Sequence, residues 1–305
     1  MMADRLRVLV SGASGLVGQE LQRQLRTEGA EVRRLVRRPP TSSEEVRWEP
    51  GVRPLDPAVL DGVDAVVNLS GASVGRLPWT PAYRRELADS RIEPTRTLAA
   101  AICSAERPPA VLLSASAVGF YGDRPGERLD EDSAPGTGFF PQLVAAWEAT
   151  AHEVPDATRV VTFRSGVVVA TGGGMAPVRI LSRVGLGTRF GSGRQHWPWI
   201  SLRDEAAAIR HLLRSELAGP VNLVGPEPAT SERVTRAFAR QQHRPHLLIA
   251  PRAPVEALLG EGGRRLLFDS MEVRPTRLIA DGFRWQDATI EQAVARTLSA
   301  TSARG

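Results

Sequence analysis

Leu6-Arg7-Val8-Leu9-Val10-Ser11-Gly12-Ala13-Ser14-Gly15-Leu16-Val17-Gly18 is the stretch on which the fold turns. Its first half is a short apolar run, the kind that forms a strand buried on both faces of a parallel sheet. Its second half sets glycines at 12, 15 and 18, and beyond it Leu21 and Leu25 recur at helical spacing until Gly29, a residue suited to close a helix. A second apolar run at 32–36 ends in Arg37-Arg38. Strand, glycine turn, helix and strand in that order make a phosphate site. The glycines let the turn form and the backbone approach a pyrophosphate, whose charge meets the amides at the helix start. Dinucleotide binding is therefore expected, with Gly12, Ser14, Gly15, Leu16, Val17 and Gly18 as contacts. A tight turn that holds no ligand is the competing reading.

The alternation continues outward. Residues 65–69, 111–113 and 160–163 read as strands, and 81–105 and 140–153 as helices, which predicts a doubly wound parallel sheet. Between them, 119–138 is rich in Gly, Pro and acidic residues and reads as a long functional loop. Beyond Arg164 the pattern loosens into glycine clusters at 172–174, 185–187 and 191–193. Further elements follow near 204–215, 221–224 and 231–242, and helical periodicity returns at 254–259 and 290–298. The expected fold is α/β: a doubly wound parallel Rossmann sheet with a smaller C-terminal α/β substrate lobe. Residues 1–165 form the dinucleotide domain, its sheet completed by a segment near 200–225. Residues 166–246 supply the substrate lobe, and 247–305 a small appendage.

Composition narrows the chemistry. Apolar residues make up 42% and charged residues 24% of the 305, as in an ordinary globular protein. The one cysteine, Cys103, excludes an intramolecular disulfide and a cysteine-based zinc site, and the five histidines lack metal-ligand spacing, so no metal is expected. No apolar run is long enough to span a bilayer and no signal-peptide pattern opens the chain. A cytoplasmic protein is expected, monomeric or homodimeric, with no membrane partner. The formal charge is +5, but every one of the 39 basic residues is arginine and they are scattered, so nucleic acid is not an expected partner. The absence of lysine rules out a P-loop lysine, a Schiff-base lysine and a lysine partner for a catalytic tyrosine.

The end of the second strand selects the cofactor. An NAD site places an acidic residue there for the ribose 2′-hydroxyl, whereas Arg37 and Arg38 suit a 2′-phosphate; this favours NADP(H) over NAD(H), unless both are simply solvated surface arginines. Asn68-Leu69-Ser70-Gly71 reaches the carboxyl edge of the sheet, where ligands bind in open α/β folds, although Asn68 equally suits a turn cap. Ser114 and Ser116 lie at the same edge, and a hydroxyl there can bond a carbonyl or alcohol beside the nicotinamide. Arg164 ends a strand near the expected nicotinamide. In the second lobe Arg194, His196 and Trp199 form a polar and aromatic cluster suited to a phosphate- and base-bearing substrate. Asp204 reads as the cap of the helix after it.

Seven strings carry a resemblance: VSGASGLVGQEL (10–21), DAVVNLSGASV (64–74), WTPAYRRELADSRI (79–92), LLSASAVGFYGD (112–123), FRSGVVVATGGG (163–174), GLGTRFGSGRQHWPWISLRDE (185–205) and RPTRLIADGFRW (274–285). Together they resemble the extended short-chain dehydrogenase/reductase superfamily, in its NAD(P)-dependent epimerase-like branch with a C-terminal domain of unknown function. The resemblance implies hydride transfer on sugar nucleotides. It also implies a Ser/Thr with a Tyr-x-x-x-Lys pair, whose phenol is made acidic by the lysine and nicotinamide charges. Here Phe140 and Val144 stand at the pair's positions. Tyr121, on the loop after Ser116, is the remaining candidate proton donor, or else packs that loop against the cofactor. Arg91, in the shared helix string, is a candidate substrate contact. Two functions stay open: an oxidoreductase or epimerase-like enzyme acting on a carbonyl or sugar-nucleotide substrate, with Ser116 and Tyr121 catalytic, or a non-enzymatic NADP(H)-binding redox sensor or scaffold. A nucleic-acid-binding regulator would rest on charge alone.

Overall fold

Val8, Leu9 and Val10 are all buried in strand β1 (Arg7–Ser11), as an apolar run in a sheet covered on both faces must be. The computed structural model describes residues 5–302. Helix α1 (Leu16–Thr27) buries Leu21 and Leu25. It ends in a Schellman motif, with Gly29 at positive φ, Gly29 N–H on Arg26 O and Ala30 N–H on Leu25 O, both at 3.0 Å. Strand β2 (Glu31–Val36) then runs parallel to β1.

Strands β3 (Glu45–Arg47), β4 (Ala65–Asn68), β5 (Val111–Ala117), β7 (Arg159–Ser165) and β11 (Gly219–Leu223) complete a sheet of order β11-β7-β5-β4-β1-β2-β3, every pairing parallel. Strand order reverses between β1 and β4, and ligands of such sheets bind outside the carboxyl ends at that switch point. Helix α1 packs on α5 (Leu202–Leu212), and α2 (Pro81–Ser104) packs on α3 (Phe139–Ala151). The three residues of β3 carry no apolar alternation, so no strand is legible there. Arg38 and Arg34 converge on Glu45 and hold it in place.

Other strand pairs stand outside this sheet. Strand β8 (Val167–Val169) pairs with β10 (Trp199–Ser201), and β9 (Gly187–Phe190) pairs with β12 (His246–Ala250). With α4 (Ala176–Arg183), α6 (Ser231–Gln241) and α9 (Ile290–Ser302) these enclose a second core around Trp197, Trp199 and Phe238. Strand β6 (Arg128–Leu129) lies inside the expected long loop and pairs with β13 (Glu272–Val273), so that segment is tied to the C-terminal part of the chain. Helix α7 (Arg252–Phe268) runs well past the expected 254–259, with a break at Gly260, where φ is 63°. The short helix α8 (Thr276–Ala280) follows.

The cap of α5 corrects the sequence reading. Ser201, not Asp204, is the N-cap, its Oγ accepting from Asp204 N–H at 3.1 Å. Asp204 instead accepts from the amides of Gln286 (2.9 Å) and Asp287 (3.0 Å), fastening the C-terminal segment to the helix start.

Candidate functional site

A cleft of about 1860 Å³ opens at the carboxyl edge beside the switch point. Gly12, Ala13, Ser14 and Gly15 line it, facing Leu69, Ser70 and Gly71 from the end of β4 and Arg37 and Arg38 from the end of β2. The turn needs its glycines. Gly12 has φ +67°, and a Cβ there would lie 2.4 Å from Leu69 O; one at Gly18 would lie 2.6 Å from Gly12 O. Gly15 caps α1 with no side-chain hydrogen bond, so the first amides, at Leu16 and Val17, have no acceptor supplied by the chain's own cap. Uncapped amides at the start of a 12-residue helix, beside a turn that excludes side chains, fit a pyrophosphate.

The two rim arginines differ. Arg38 is held by Glu45 through Nη1 (2.8 Å) and Nη2 (2.7 Å), and Glu45 also accepts from Thr41 N–H at 2.7 Å. The Arg38 guanidinium first, then the Thr41 amide, keep the Glu45 carboxyl down at about 2. Arg37 is exposed and has no hydrogen-bond or ion-pair partner among the described residues. The expected pair of phosphate contacts thus becomes one free cation and one that braces the loop.

Asn68 is wholly buried and serves the frame rather than the cleft. Its Oδ1 accepts from Ser11 Oγ (2.7 Å) and from Ser70 N–H (3.2 Å), and its Nδ2 donates to Thr95 Oγ1 (2.9 Å) and, more weakly, to Ser114 Oγ (3.4 Å). Ser114 is buried with it. These two cofactor candidates therefore fix the ends of β1, β4 and β5, while Ser70 and Gly71 line the opening.

At the end of β5, Ser116 Oγ donates to Glu148 Oε1 at 2.5 Å. Glu148, on α3, also receives both arms of Arg164, from Nε at 2.7 Å and from Nη2 at 2.8 Å. Arg164 Nη1 donates to Tyr121 Oη (2.9 Å), and that hydroxyl donates to Asn222 Oδ1 (2.8 Å). Two expectations change here. Tyr121 is 0% exposed and burial pushes its phenol up to about 12, which disfavours it as a proton donor. Arg164 is spent on Glu148, Tyr121 and the Phe120 ring, 3.6 Å below its guanidinium, and does not line the cleft.

Arg91 is buried on α2 against the Gly71–Ala72 backbone, donating to Ala72 O at 3.0 Å. The second-lobe cluster is not brought to the cleft. Trp199 is buried in β10 with its Nε1–H on Glu227 O, His196 stands 4.0 Å from Glu272, and Arg194 is exposed on the far lobe. Phe140 and Val144 are both buried on α3; the Phe140 ring sits 5.4 Å from that of Trp79. Among the described residues no group of His, Cys, Asp or Glu could hold a metal, and no helix is long and apolar enough to cross a membrane.

Glu148, Glu45, Thr95 and Asn222 join the site without being expected from the sequence. Glu148 had a signal, since an acidic residue stood two turns beyond Phe140 in an otherwise apolar helix. Thr95 and Asn222 offer none, because their partners are remote in sequence, and Glu45, though its partners Arg38 and Thr41 are near, sits in no recognisable pattern.

Comparison with known proteins agrees with this geometry. Residues 8–224 match the NAD dependent epimerase/dehydratase family, and residues 250–297 match a domain of unknown function (DUF1731). Epimerase family protein Mb2239 of Mycobacterium bovis is 43% identical over 290 residues, 94% of this chain and 96% of that protein. A crystal structure of human epimerase family protein SDR39U1 with NADPH superposes with a TM-score of 0.88 at 32% identity, covering 96% of this chain and 99% of that one. MoeE5 in complex with UDP-glucose and NAD shares the fold, with a TM-score of 0.77 at 20% identity over 98% of this chain and 100% of that one.

Proposed function

This chain belongs to the NAD dependent epimerase/dehydratase family, and on that premise we propose that it is an NADP(H)-dependent oxidoreductase acting on a carbonyl or sugar-nucleotide substrate without a Tyr–Lys pair. The observation that carries the cofactor half is Arg37, a guanidinium with no partner among the described residues, at the end of β2 on the rim of the glycine-loop cleft. A 2′-phosphate would take the bidentate bond that no carboxylate among the described residues takes. The human relative crystallised with NADPH supports the same reading.

The bound nicotinamide would supply hydride transfer; the chain's own residues must supply proton exchange and orientation. Phe140 and Val144 stand at the pair's positions and Tyr121 is sealed in; Ser116, though also buried and behind the cleft lining, is the expected catalytic hydroxyl that is bonded to a carboxylate. It shares its proton with the Glu148 carboxylate, whose orientation is fixed by the two arms of Arg164. A substrate oxygen would exchange its proton at Ser116 Oγ. Sealing of Tyr121 is also what favours the second reading, a binding protein that senses NADP(H) without turnover. NADPH oxidation across a panel of carbonyl compounds and sugar nucleotides separates the two. Turnover that Ser116→Ala abolishes and Tyr121→Phe spares supports the enzyme; tight NADPH binding with no turnover on any of them supports the sensor.

A further inference from the structure

Arg91 and Arg164 are the buried arginines among the described residues, and they are held quite differently. Arg164 has a carboxylate on both arms. Arg91, 7% exposed, has no carboxylate within ion-pair distance among the described residues. Its guanidinium donates to two carbonyls, Leu87 O and Ala72 O, each at 3.0 Å, reaches Ser90 Oγ at 3.5 Å, and lies 5.2 Å from the Trp147 ring; its Nε–H has no acceptor among the described residues. Burial pulls it down to about 10, so the charge is costly where it stands. A buried cation without a counter-ion is a large unfavourable term, which an arriving oxygen would relieve.

Its position says where that oxygen comes from. Gly71, against which the guanidinium packs, lines the cleft, and a Cβ there would already be 3.4 Å from Arg91 Cζ. Ser90 and Pro94, flanking Arg91 on α2, line the cleft too, and the Arg91 guanidinium stands one layer behind Gly71. This wall follows β4, on the opposite side of β1 from β2 and Arg37, and a dinucleotide laid across the switch point puts its nicotinamide half there. Across from it on α3, the position a lysine would occupy holds the fully buried Val144, and Arg91 rests on Trp147 less than one turn further along.

We propose that Arg91 supplies the fixed positive charge of the inner cleft, donating to an oxygen of the nicotinamide half of the dinucleotide from α2 rather than from α3. This rests on the NADP(H) reading, and the test separates the two. Calorimetric titration of the full chain with NADPH and with 2′,5′-ADP, a fragment that reaches only the Arg37 end, is made on the wild type, Arg91→Gln and Arg91→Lys. We expect Arg91→Gln to weaken NADPH by about tenfold or more and to leave 2′,5′-ADP within about twofold, with Arg91→Lys recovering most of the loss, because a point charge can meet the ligand but cannot fork onto both carbonyls. Unchanged NADPH affinity in Arg91→Gln overturns the proposal. So does a parallel loss of both ligands, or an Arg91→Lys no better than Arg91→Gln, since each marks a staple between α2 and the Gly71–Ala72 turn. A wild type that binds neither ligand removes the NADP(H) reading and this proposal together.

Discussion

Removing the Tyr121 hydroxyl would strand the buried Asn222 Oδ1 acceptor and leave Arg164 Nη1 only its longer bond to Glu131 O (3.4 Å). Tyr121→Phe should therefore destabilise the protein by roughly 1–3 kcal/mol, read as a lower urea midpoint, and leave NADPH affinity unchanged. A full loss of turnover at unaltered stability would instead restore Tyr121 as the proton donor. Its neighbour Glu148 is tied more tightly still. Glu148→Ala leaves Arg164 buried without its counter-ion and should cost about 3–5 kcal/mol in the same measurement. At this scale the sequence was only partly legible. The place of Arg37, exposed on the cleft rim at the end of β2, could be read because a motif fixes what stands there. The roles of Tyr121 and Arg164 could not, because they depend on Asn222 and Glu148, which the sheet brings in from other strands and helices.

Among the elements, the β1–α1 turn has the least tolerance. Gly12→Ala forces a Cβ to 2.4 Å from the backbone oxygen of Leu69 at a φ of +67°, so the turn must move. Strain of roughly 1–3 kcal/mol is expected, with NADPH binding lost even where the variant stays folded at low temperature; a melting curve and a fluorescence titration on the same sample check both. Retained NADPH affinity would show that the turn does not cradle the phosphates. Elements with a long apolar period were legible, α1 and its Gly29 terminus most of all, because burial pattern and cap chemistry coincide there. Strand β3 was not, since Glu45 is held by arginines rather than by apolar alternation. The two residues each of β6 and β13 carry no period at all.

For the molecule as a whole, several buried carboxyls set a pH dependence, Glu205 most strongly. Glu205 is buried at the start of α5 where the sheet meets the second lobe, accepting from Ser165 Oγ with its other oxygen unpartnered, and burial raises it from 4.5 to about 8. Its folded value lies above its unfolded one, so the unfolded chain releases the proton first. The stability it permits is fully present below about pH 4.5 and is lost as pH rises towards about 8. Glu205→Gln should therefore gain on the wild type across that window, by roughly 2–4 kcal/mol at its upper end, in urea unfolding at pH 5 and pH 8. An unchanged difference between the two pH values would show that Glu205 does not retain its proton. The alternation of strands and helices made the parallel sheet legible across the molecule. The pairing of β8 with β10 and β9 with β12 was hidden, because short strands in a glycine-rich stretch can pair in many ways until the second core closes around Trp199.

The central claim is that the cleft over Gly12–Gly15 is an NADP(H) site whose choice of cofactor is made by Arg37. Nicotinamide fluorescence titration with NADPH and NADH, on the wild type and Arg37→Ala, tests it most directly. NADPH should bind the wild type about tenfold or more tightly than NADH, and Arg37→Ala should bring NADPH down to the NADH level while leaving NADH unmoved. Equal affinities in the wild type, or a preference for NADPH that survives Arg37→Ala, would contradict it.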